Sequence, residues 1–312
     1  MCTAISINGH HHLFGRTLDL ECSFGEAAVI SPRAFFSADS FSMVGIAHVS
    51  GGVPLYYDAV NEHGLCAAAL NFPASARYQP PRKDINNIPS YKLIPFVLGT
   101  CKSVDEATEL LCRVNVTPDS FSDSLPATPL HWLFADKRSA IAVEPREDGL
   151  VITHDPFRVL TNEPPFEFHE KNVTAFMSLS ASPPKNNLCP EISLAPYSRG
   201  MGAMGLPGDF SSASRFVRAV FALNHTVGED EISRFFHVMD TVTVPNGCIL
   251  TDKGVPVRTV YTSCADTDSL TYYFTDYSCR RIRAVRLCES AKADDSLTVF
   301  PIERDEDILR YN

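Results

Sequence analysis

The chain has 312 residues, of which 45% are hydrophobic and 21% charged, a composition typical of soluble globular proteins. Its net charge of -10 argues against nucleic acid or an anionic membrane as the main partner. No apolar run approaches the ~18–20 residues of a membrane span, and the first residues lack a signal-peptide pattern. We therefore expect a cytoplasmic protein without a nucleic-acid or membrane partner. The sequence contains no repeat, low-complexity tract or clear linker, which predicts one domain over residues 1–312.

The second residue, Cys2, occupies an unusual and informative position. Methionine aminopeptidase removes Met1 when the next side chain is small, so we expect the mature chain to begin with Cys2. That residue would then carry a thiol and a free α-amine. An α-amine with a pKa near ~7.7–8.0 is a better base at neutral pH than a lysine near ~10.4, and a terminal amine can activate its own side chain. Position alone also fits a cysteine buried in an edge strand.

The first twenty residues predict a β-hairpin that returns to the N-terminus. Residues 2–7 alternate apolar and small polar side chains, and residues 10–16 form a second β-rich run. Asn8-Gly9 between such runs is a strong hairpin signal, with φ > 0 expected at both residues. We therefore expect two antiparallel strands joined by this turn.

The predicted hairpin places Arg16 and Asp19 beside Cys2. A cation near a thiol lowers the thiol pKa, and a carboxylate can hold an amine in position. The alternative is a solvated ion pair on a loop, which contributes little to stability.

The ten cysteines are scattered, without a Cys-x-x-Cys pair or a Cys/His cluster at zinc spacing. We expect no metal and mostly buried free thiols, as in a reducing compartment. His10, His11 and His12 are consecutive, so in a strand they would alternate faces and form a hairpin surface rather than converge on one ion.

Further along, strand signals predominate, with helices set between them. Helices are predicted at residues 88–100, 103–114, 166–179, 212–224 and 231–239. Strands are predicted within residues 59–72 and at 130–135, 140–144, 150–153, 259–265, 270–277 and 282–287. We expect Pro95 to kink the first helix, and residues 183–196 to form a long ordered loop. The pattern indicates antiparallel sheets covered by helices.

From end to end the chain resembles the choloylglycine hydrolase family of N-terminal-nucleophile hydrolases, which includes bile salt hydrolases and penicillin V acylases. The resemblance lies in Cys2 and in residues 14–19, 61–65, 70–73, 130–132, 159–164 and 205–216. It implies an α+β fold, a four-layer αββα sandwich of two antiparallel sheets flanked by helices. It also implies an enzyme without a metal or other cofactor.

The resemblance also implies roles around the nucleophile. Cys2 would attack an amide carbonyl, and its freed amine would act as general base and then acid. Asp19 would hold that amine, with Arg16 also flanking Cys2. Arg215 would lie close to the thiol and support its charge. Thr17 departs from the family, which often has Asn at that position.

Two asparagines complete the implied catalytic set. Asn162 would supply its side-chain amide to an oxyanion hole, and Asn71 the other donor; such a donor contributes roughly 2.7–4 kcal/mol to the transition state. Asn71 in Leu-Asn-Phe-Pro resembles bile salt hydrolases, whereas penicillin acylases tend to carry Tyr there. A stretch between residues 34 and 60 is shorter than usual for the family, which affects one pocket-lining loop.

Similarity to the family's loops also implies an apolar pocket that matches a steroid face. Its expected residues are Leu18, Phe24, Tyr57, Phe121 and Leu125. The expected function is hydrolysis of glycine- or taurine-conjugated bile acids through a Cys2 thioester. The alternatives are a penicillin V acylase or another N-acyl amidase, and a non-catalytic bile-acid-binding relative.

The segment 197–202 contains Ser198-Arg199, which resembles a family form associated with taurine conjugates. In the family this segment reaches a neighbouring subunit, which implies a homotetramer. Arg199 can donate several hydrogen bonds to a sulfonate. The alternative is that Arg199 is a surface or interface charge that never meets substrate.

Overall fold

The computed structural model describes residues 1–229, 231–302 and 305–312. The strands in the described part are β1 (Cys2–Asn8), β2 (His12–Leu20), β3 (Glu26–Ser31), β4 (Met43–Ser50), β5 (Val53–Asn61), β6 (Cys66–Asn71), β7 (Asn86–Pro89), β8 (Val114–Thr117), β9 (Leu130–Ala135), β10 (Ala140–Arg146), β11 (Gly149–His154), β12 (Val159–Leu160), β13 (Ile249–Leu250), β14 (Pro256–Asp266), β15 (Thr271–Asp276), β16 (Arg283–Arg286) and β17 (Thr298–Pro301). The α-helices are α1 (Leu93–Thr100), α2 (Val104–Leu111), α3 (Phe166–Asn172), α4 (Ser212–His225), α5 (Glu231–Asp240) and α6 (Glu289–Lys292).

Two large antiparallel sheets organise these elements. The first sheet has the order β12-β1-β2-β14-β15-β16, with β13 paired to β14. The second sheet has the order β11-β10-β9-β6-β5-β4-β3-β17. A small parallel pair, β7 and β8, stands apart from both sheets.

The two sheets face each other, and helices cover their outer sides. Strands β1 and β2 contact β6 across the interior, α4 and α5 pack on the first sheet, and α1 and α2 pack on the second. One buried cluster joins both sheets to α4 and α5, whereas a second joins α1 and α2 to the second sheet. These four layers confirm the α+β, αββα expectation.

The predicted N-terminal hairpin is present, but its turn differs from the prediction. Cys2 pairs with Leu18 and Asn8 with His12, so the connection is three residues long. Neither Asn8 nor Gly9 has a positive φ. Instead, the Glu231 carboxylate accepts the N–H groups of residues 10 and 11, at 2.9 and 3.0 Å. A Cβ on Gly9 would lie 2.1 Å from Glu231 Oε1, so glycine lets this carboxylate approach the turn closely.

Two of the predicted helices end early or begin late. The helix expected over residues 88–100 begins at Leu93, after a 3₁₀ turn at Ser90–Lys92. Pro95 lies in its first turn, where no intrahelical N–H bond is lost, so the predicted kink is wrong. Helix α2 begins as predicted, with Ser103 Oγ accepting from the Glu106 N–H at 3.2 Å, but ends at Leu111.

The helix expected over residues 166–179 is also shorter than predicted. Helix α3 ends at Asn172 and is followed by a 3₁₀ turn at Val173–Phe176. The predictions for α4, α5, β9 to β11 and β14 to β16 agree with the observed strands and helices to within a few residues. Strands β3, β4, β7, β8, β12, β13 and β17 were not predicted. Within the described residues, none of the helices has the length and apolar character that crossing a bilayer demands.

Two expectations about side chains are corrected. Only five of the ten cysteines are buried; four are exposed and one is intermediate, and all ten are free thiols. His12 is fully buried rather than on the hairpin surface, and its ring nitrogens contact Ser6 Oγ and Thr267 Oγ1 at 2.8 and 3.1 Å.

Candidate active site

A cavity of about 340 Å³ opens above the N-terminal end of β1, with Cys2 and Arg16 in its wall. This volume is within the range of small-molecule sites. All five side chains expected from the family's loops line it: Leu18, Phe24, Tyr57, Phe121 and Leu125. The lining is largely apolar, so the cavity suits an apolar acyl group that extends away from the Cys2 sulfur.

Several wall residues were not expected from the sequence. They come from β2, β5, the 3₁₀ turn before α1, the segment before β9 and the first residue of β9: Leu20, Leu55, Tyr91, Ala127 and Leu130. Tyr91 packs edge-on against Phe121, with ring centroids 5.4 Å apart. These residues are brought together by sheet pairing and loop packing over long sequence distances, which no local pattern reports.

The Cys2 thiol is buried and receives a hydrogen bond from the Arg16 guanidinium. Arg16 has no exposed surface, and its other N–H groups donate to the carbonyl oxygens of Thr17, Tyr57 and Ala69. Arg16 lies on β2, whereas Tyr57 and Ala69 belong to the second sheet. The guanidinium thus connects the two sheets directly beneath the thiol.

A second buried charge, Asp58, balances Arg16. Its carboxylate accepts hydrogen bonds from the hydroxyl groups of Tyr261, Ser263 and Tyr272. Burial raises the pKa of Asp58, and Arg16 and the three hydroxyl groups oppose that rise. Burial also works against the charge on Arg16, but nearby groups including Cys2, Tyr261 and Asp58 raise its pKa nonetheless. Asp58 was missed in the sequence, although a carboxylate within an otherwise apolar strand was its signal.

Asp19 follows Leu18 near the end of β2, and it is buried. Its carboxylate accepts from Thr259 Oγ1 at 2.7 Å and from Thr17 Oγ1 at 3.3 Å. Its main chain binds Met1 at both ends, since the Asp19 N–H donates to the Met1 carbonyl and the Met1 amine donates to the Asp19 carbonyl.

Asn162 makes the closest contact with the Cys2 nitrogen. Its Oδ1 accepts from the Cys2 N–H at 2.7 Å, and its Nδ2 donates to the Asn71 carbonyl at 2.8 Å. An amide Nδ2 has two hydrogens, so one remains for a further acceptor. Asn71 itself lies at the end of β6 and lines the cavity.

Arg215, on α4, is buried but contacts different atoms from those expected. Its guanidinium donates to the Cys2 carbonyl, to Thr3 Oγ1 at 2.6 Å and to Asn162 Oδ1 at 2.7 Å. The hydrogen bond to the thiol comes from Arg16 instead. Burial lowers the pKa of Arg215, and the acidic neighbours Asp19 and Cys2 oppose that effect.

The predicted catalytic residues therefore lie together: Cys2, Arg16, Asp19, Asn71, Asn162 and Arg215. While Met1 is attached, the Cys2 nitrogen is an amide and cannot take up a proton. Once it is freed, the same nitrogen lies beside a thiol, a fixed cation and an amide donor. That arrangement has the parts needed for nucleophilic attack on a carbonyl.

Arg199 is exposed and does not line this cavity. Among the described residues, one group could offer three metal-ligating atoms: His11, Asp266 and Asp268. Its carboxylates already accept hydrogen bonds from His11, the His12 N–H and Lys137. The group lies at the far end of the hairpin from Cys2.

Comparisons with known proteins agree with this geometry. Residues 2–298 match the model of linear amide C–N hydrolases, choloylglycine hydrolase family. A bile salt hydrolase/transferase of Lactiplantibacillus plantarum is 38% identical over 325 residues, covering 100% of both chains. A protein of the same name from Clostridium perfringens is 32% identical, covering 91% of this chain and 92% of the relative.

Solved structures give the same result. The C2A mutant of a conjugated bile acid hydrolase from Clostridium perfringens superposes with a TM-score of 0.91 at 28% identity, covering 100% of both chains. A penicillin V acylase from Agrobacterium tumefaciens shares the fold, with a TM-score of 0.74 at 20% identity over 96% of this chain and 90% of the acylase. The chain belongs to the choloylglycine hydrolase family of linear amide C–N hydrolases.

Proposed function

We propose that this protein is a bile salt hydrolase, which cleaves the amide bond between a bile acid and glycine or taurine. The observation that carries the proposal is a largely apolar cavity whose wall contains the Cys2 thiol hydrogen-bonded to Arg16. A steroid acid presents an apolar body and one amide, which this shape suits. A relative that matches over the whole chain bears the name bile salt hydrolase/transferase.

The proposed reaction begins once Met1 has been removed. The Cys2 amine takes the thiol proton, and the sulfur attacks the amide carbon, which places a negative charge on the carbonyl oxygen. The second Nδ2 hydrogen of Asn162 stabilises this oxyanion, together with a donor from Asn71. The ammonium then passes its proton to the leaving glycine or taurine nitrogen, and a thioester remains.

The second half of the reaction releases the bile acid. The free Cys2 amine takes a proton from water, the hydroxide attacks the thioester carbon, and the same donors stabilise the second oxyanion. The sulfur leaves and regains the proton. In this scheme Asn162 Oδ1 holds the amine, since it already accepts from the Cys2 nitrogen. Asp19 lines the space that Met1 leaves, because its main chain binds both ends of Met1.

The alternatives are a penicillin V acylase, another N-acyl amidase, or a protein that only binds bile acids. Asn71 at the cavity wall favours bile salts over penicillin V on the family pattern. The hydrogen bond from Arg16 to the Cys2 sulfur favours catalysis over simple binding, since a binding protein has no use for a cation at a buried thiol.

We also propose that the chain forms one domain and assembles as a homotetramer through the segment that contains Arg199. Large apolar side chains in this segment and around it are exposed: Met177, Leu188, Ile192, Leu194, Tyr197 and Met204. Exposed apolar side chains concentrated in one part of the chain support a subunit interface there. In such an assembly Arg199 would reach the cavity of a neighbouring subunit and favour taurine conjugates.

The test is an assay of glycocholate, taurocholate and penicillin V side by side with the same enzyme preparation. We expect release of glycine and taurine and slower cleavage of penicillin V. Faster cleavage of penicillin V would favour the acylase alternative. Binding of bile salts without release of either amino acid would favour the non-catalytic alternative.

A further inference from the structure

Two side chains that do not belong to the proposed catalytic set hold the main chain of Asn162, one from each of two helices. Its N–H donates to Ser212 Oγ at 2.8 Å, and its carbonyl faces His169 Nε2 at 3.0 Å. Ser212 also donates to Thr161 Oγ1 at 2.8 Å. Both backbone groups of Asn162 are thus fixed by residues from α4 and α3.

Ser212 and its neighbour Ser211 make different hydrogen bonds. Ser211 is the N-cap of α4, and its hydroxyl accepts from the Ser214 N–H at 3.3 Å. Ser212 makes no such capping bond among its contacts and instead reaches back to Asn162 and Thr161. Ser211 therefore caps α4, and the Ser212 hydroxyl instead fixes the loop that carries Asn162.

His169 is fully buried and stacks on Phe216 of α4, with ring centroids 5.0 Å apart and planes at 17°. Burial lowers the pKa of His169, so its ring is uncharged at neutral pH. A neutral imidazole donates to the Asn162 carbonyl without placing another cation beside Arg215. The same Nε2 lies 3.4 Å from Ser212 Oγ, so the two side chains hold Asn162 as one connected cluster.

We propose that Ser212 and His169 are positioning residues that hold Asn162 in the oxyanion hole, an inference that rests on the proposed hydrolysis. Nδ2 of Asn162 must meet a charge that exists only in the tetrahedral state, so its placement matters more in the transition state than in substrate binding. If either contact is lost, the loop shifts, and the donor no longer points at the oxyanion. Substrate binding in the apolar cavity does not depend on this contact.

Two reactions of Cys2 distinguish a role in the oxyanion hole from a role in activating the thiol. Alkylation by iodoacetamide needs the thiolate but forms no oxyanion, whereas acylation by p-nitrophenyl butyrate passes through a tetrahedral oxyanion. We expect Ser212→Ala to slow acylation by about tenfold to a hundredfold, the effect of a misplaced oxyanion donor. Alkylation of Cys2, followed by mass spectrometry of its peptide, should fall much less than acylation, because Arg16 still donates to the sulfur.

Bile salt kinetics should change in kcat and not in KM, as expected for an interaction made only in the transition state. Ser212→Thr retains the hydroxyl and should restore acylation. His169→Phe retains the stacking on Phe216 but loses the N–H, and should act like Ser212→Ala. Ser211→Ala is the matched control, since it should lower the melting temperature without changing acylation.

The proposal is overturned if Ser212→Ala acylates at the wild-type rate, if acylation and alkylation fall together, or if Ser211→Ala causes the same loss. Should Ser212→Ala fail to fold, the Thr and Phe variants decide the question. A wild-type enzyme that is acylated by the ester but releases neither glycine nor taurine would refute the proposed function. The acylation-to-alkylation ratio would still test the positioning role.

Discussion

The guanidinium of Arg16 donates a hydrogen bond to the Cys2 sulfur from a position without exposed surface. Its other hydrogen bonds go to carbonyl oxygens, two of them on the opposite sheet. Its charge is balanced at longer range by Asp58, whose carboxylate is held by three hydroxyl groups. A cation is therefore fixed at the thiol by the packing of one sheet on the other, rather than by a flexible surface pair.

Arg16→Lys should slow the reaction although it keeps the positive charge. A lysine cannot reach the thiol and several carbonyl groups at once, because only arginine presents a planar fork of donors. In the variant, we expect Cys2 alkylation to need a higher pH than in the wild type. We expect its hydrolysis rate at neutral pH to fall by about tenfold or more. The measurement is the pH profile of iodoacetamide labelling of Cys2.

Arg33→Lys is the control, since Arg33 pairs with Glu62 at the surface, away from Cys2. Its profile should match the wild type. An unchanged profile for Arg16→Lys would mean that the Arg16 contact does not set the reactivity of the thiol.

Cys2→Ser should abolish nearly all hydrolysis while the fold persists. Oxygen and sulfur side chains differ little in volume, so we expect the cavity wall at Cys2 to keep its shape. Activity assays and thermal unfolding should be compared with Cys112→Ser, whose cysteine is exposed. Unfolding of the Cys2 variant would identify Cys2 as a structural residue.

Active enzyme should lack Met1. The Met1 carbonyl and amine both bind Asp19, and Met1 makes the Cys2 nitrogen an amide without a basic lone pair. Intact-mass spectrometry of active protein should therefore show a chain that begins at Cys2. Full activity in protein that retains Met1 would exclude the terminal-amine mechanism.

Much of the fold follows from local signals in the sequence. Three signals predict helices and strands correctly because each depends only on neighbours in the chain. They are the Ser103 capping box of α2, the alternation in β9 to β11 and the closing meander β14 to β16. Strands β3 and β4 lack such signals, since most of their residues are buried on both faces. Gly45 of β4 permits close packing, because a Cβ there would lie 2.0 Å from the Asp58 carbonyl oxygen.

The site was predictable only in part, and mainly from the family resemblance. Residue types at known motif positions locate Cys2 and Asn162, but not which donor reaches the sulfur or which group holds the Cys2 nitrogen. Those contacts, like that between Asn162 and Ser212, join residues far apart in sequence and depend on how the layers pack. No local pattern encodes them.

Acid should destabilise the protein in part through His12. Burial is the main cause that lowers its pKa from 6.5 to about 4, with Arg158 adding to the effect. Between these values the unfolded chain binds a proton that the folded chain does not, so stability falls as pH falls through this window, by up to about 1.4 kcal/mol per pH unit. Asp155 acts in the opposite sense, since burial raises its pKa to about 7.

Because the two groups oppose each other, the informative measurement is a difference between variants. When the pH falls from 7 to 4.5, the free energy of unfolding should drop in both proteins. The drop should be smaller in His12→Gln than in the wild type, by about 1–3 kcal/mol. Denaturant unfolding at both pH values checks this, with the exposed His10→Gln as control. Equal losses in His12→Gln and wild type would show that His12 does not contribute.

Taurine conjugates should be cleaved faster than glycine conjugates of the same bile acid, if Arg199 meets the substrate of a neighbouring subunit. Arg199 is exposed within one chain and does not line that chain's own cavity. It can therefore act only across an interface, to which the exposed Leu188 and Tyr197 would contribute apolar surface. A sulfonate offers three oxygens to the donors of a guanidinium, one more than a carboxylate.

Arg199→Ala should lower the ratio of kcat/KM for taurocholate to that for glycocholate by about threefold to tenfold, the range expected for one charge-assisted hydrogen bond. Arg113→Ala, which removes an exposed arginine elsewhere on the surface, should leave the ratio unchanged. The oligomeric state of each variant should be measured by light scattering, because loss of the tetramer would remove Arg199 from the cavity as well. A clear glycine preference in the wild type, or an unchanged ratio in a tetrameric Arg199→Ala, would rule out this role for Arg199.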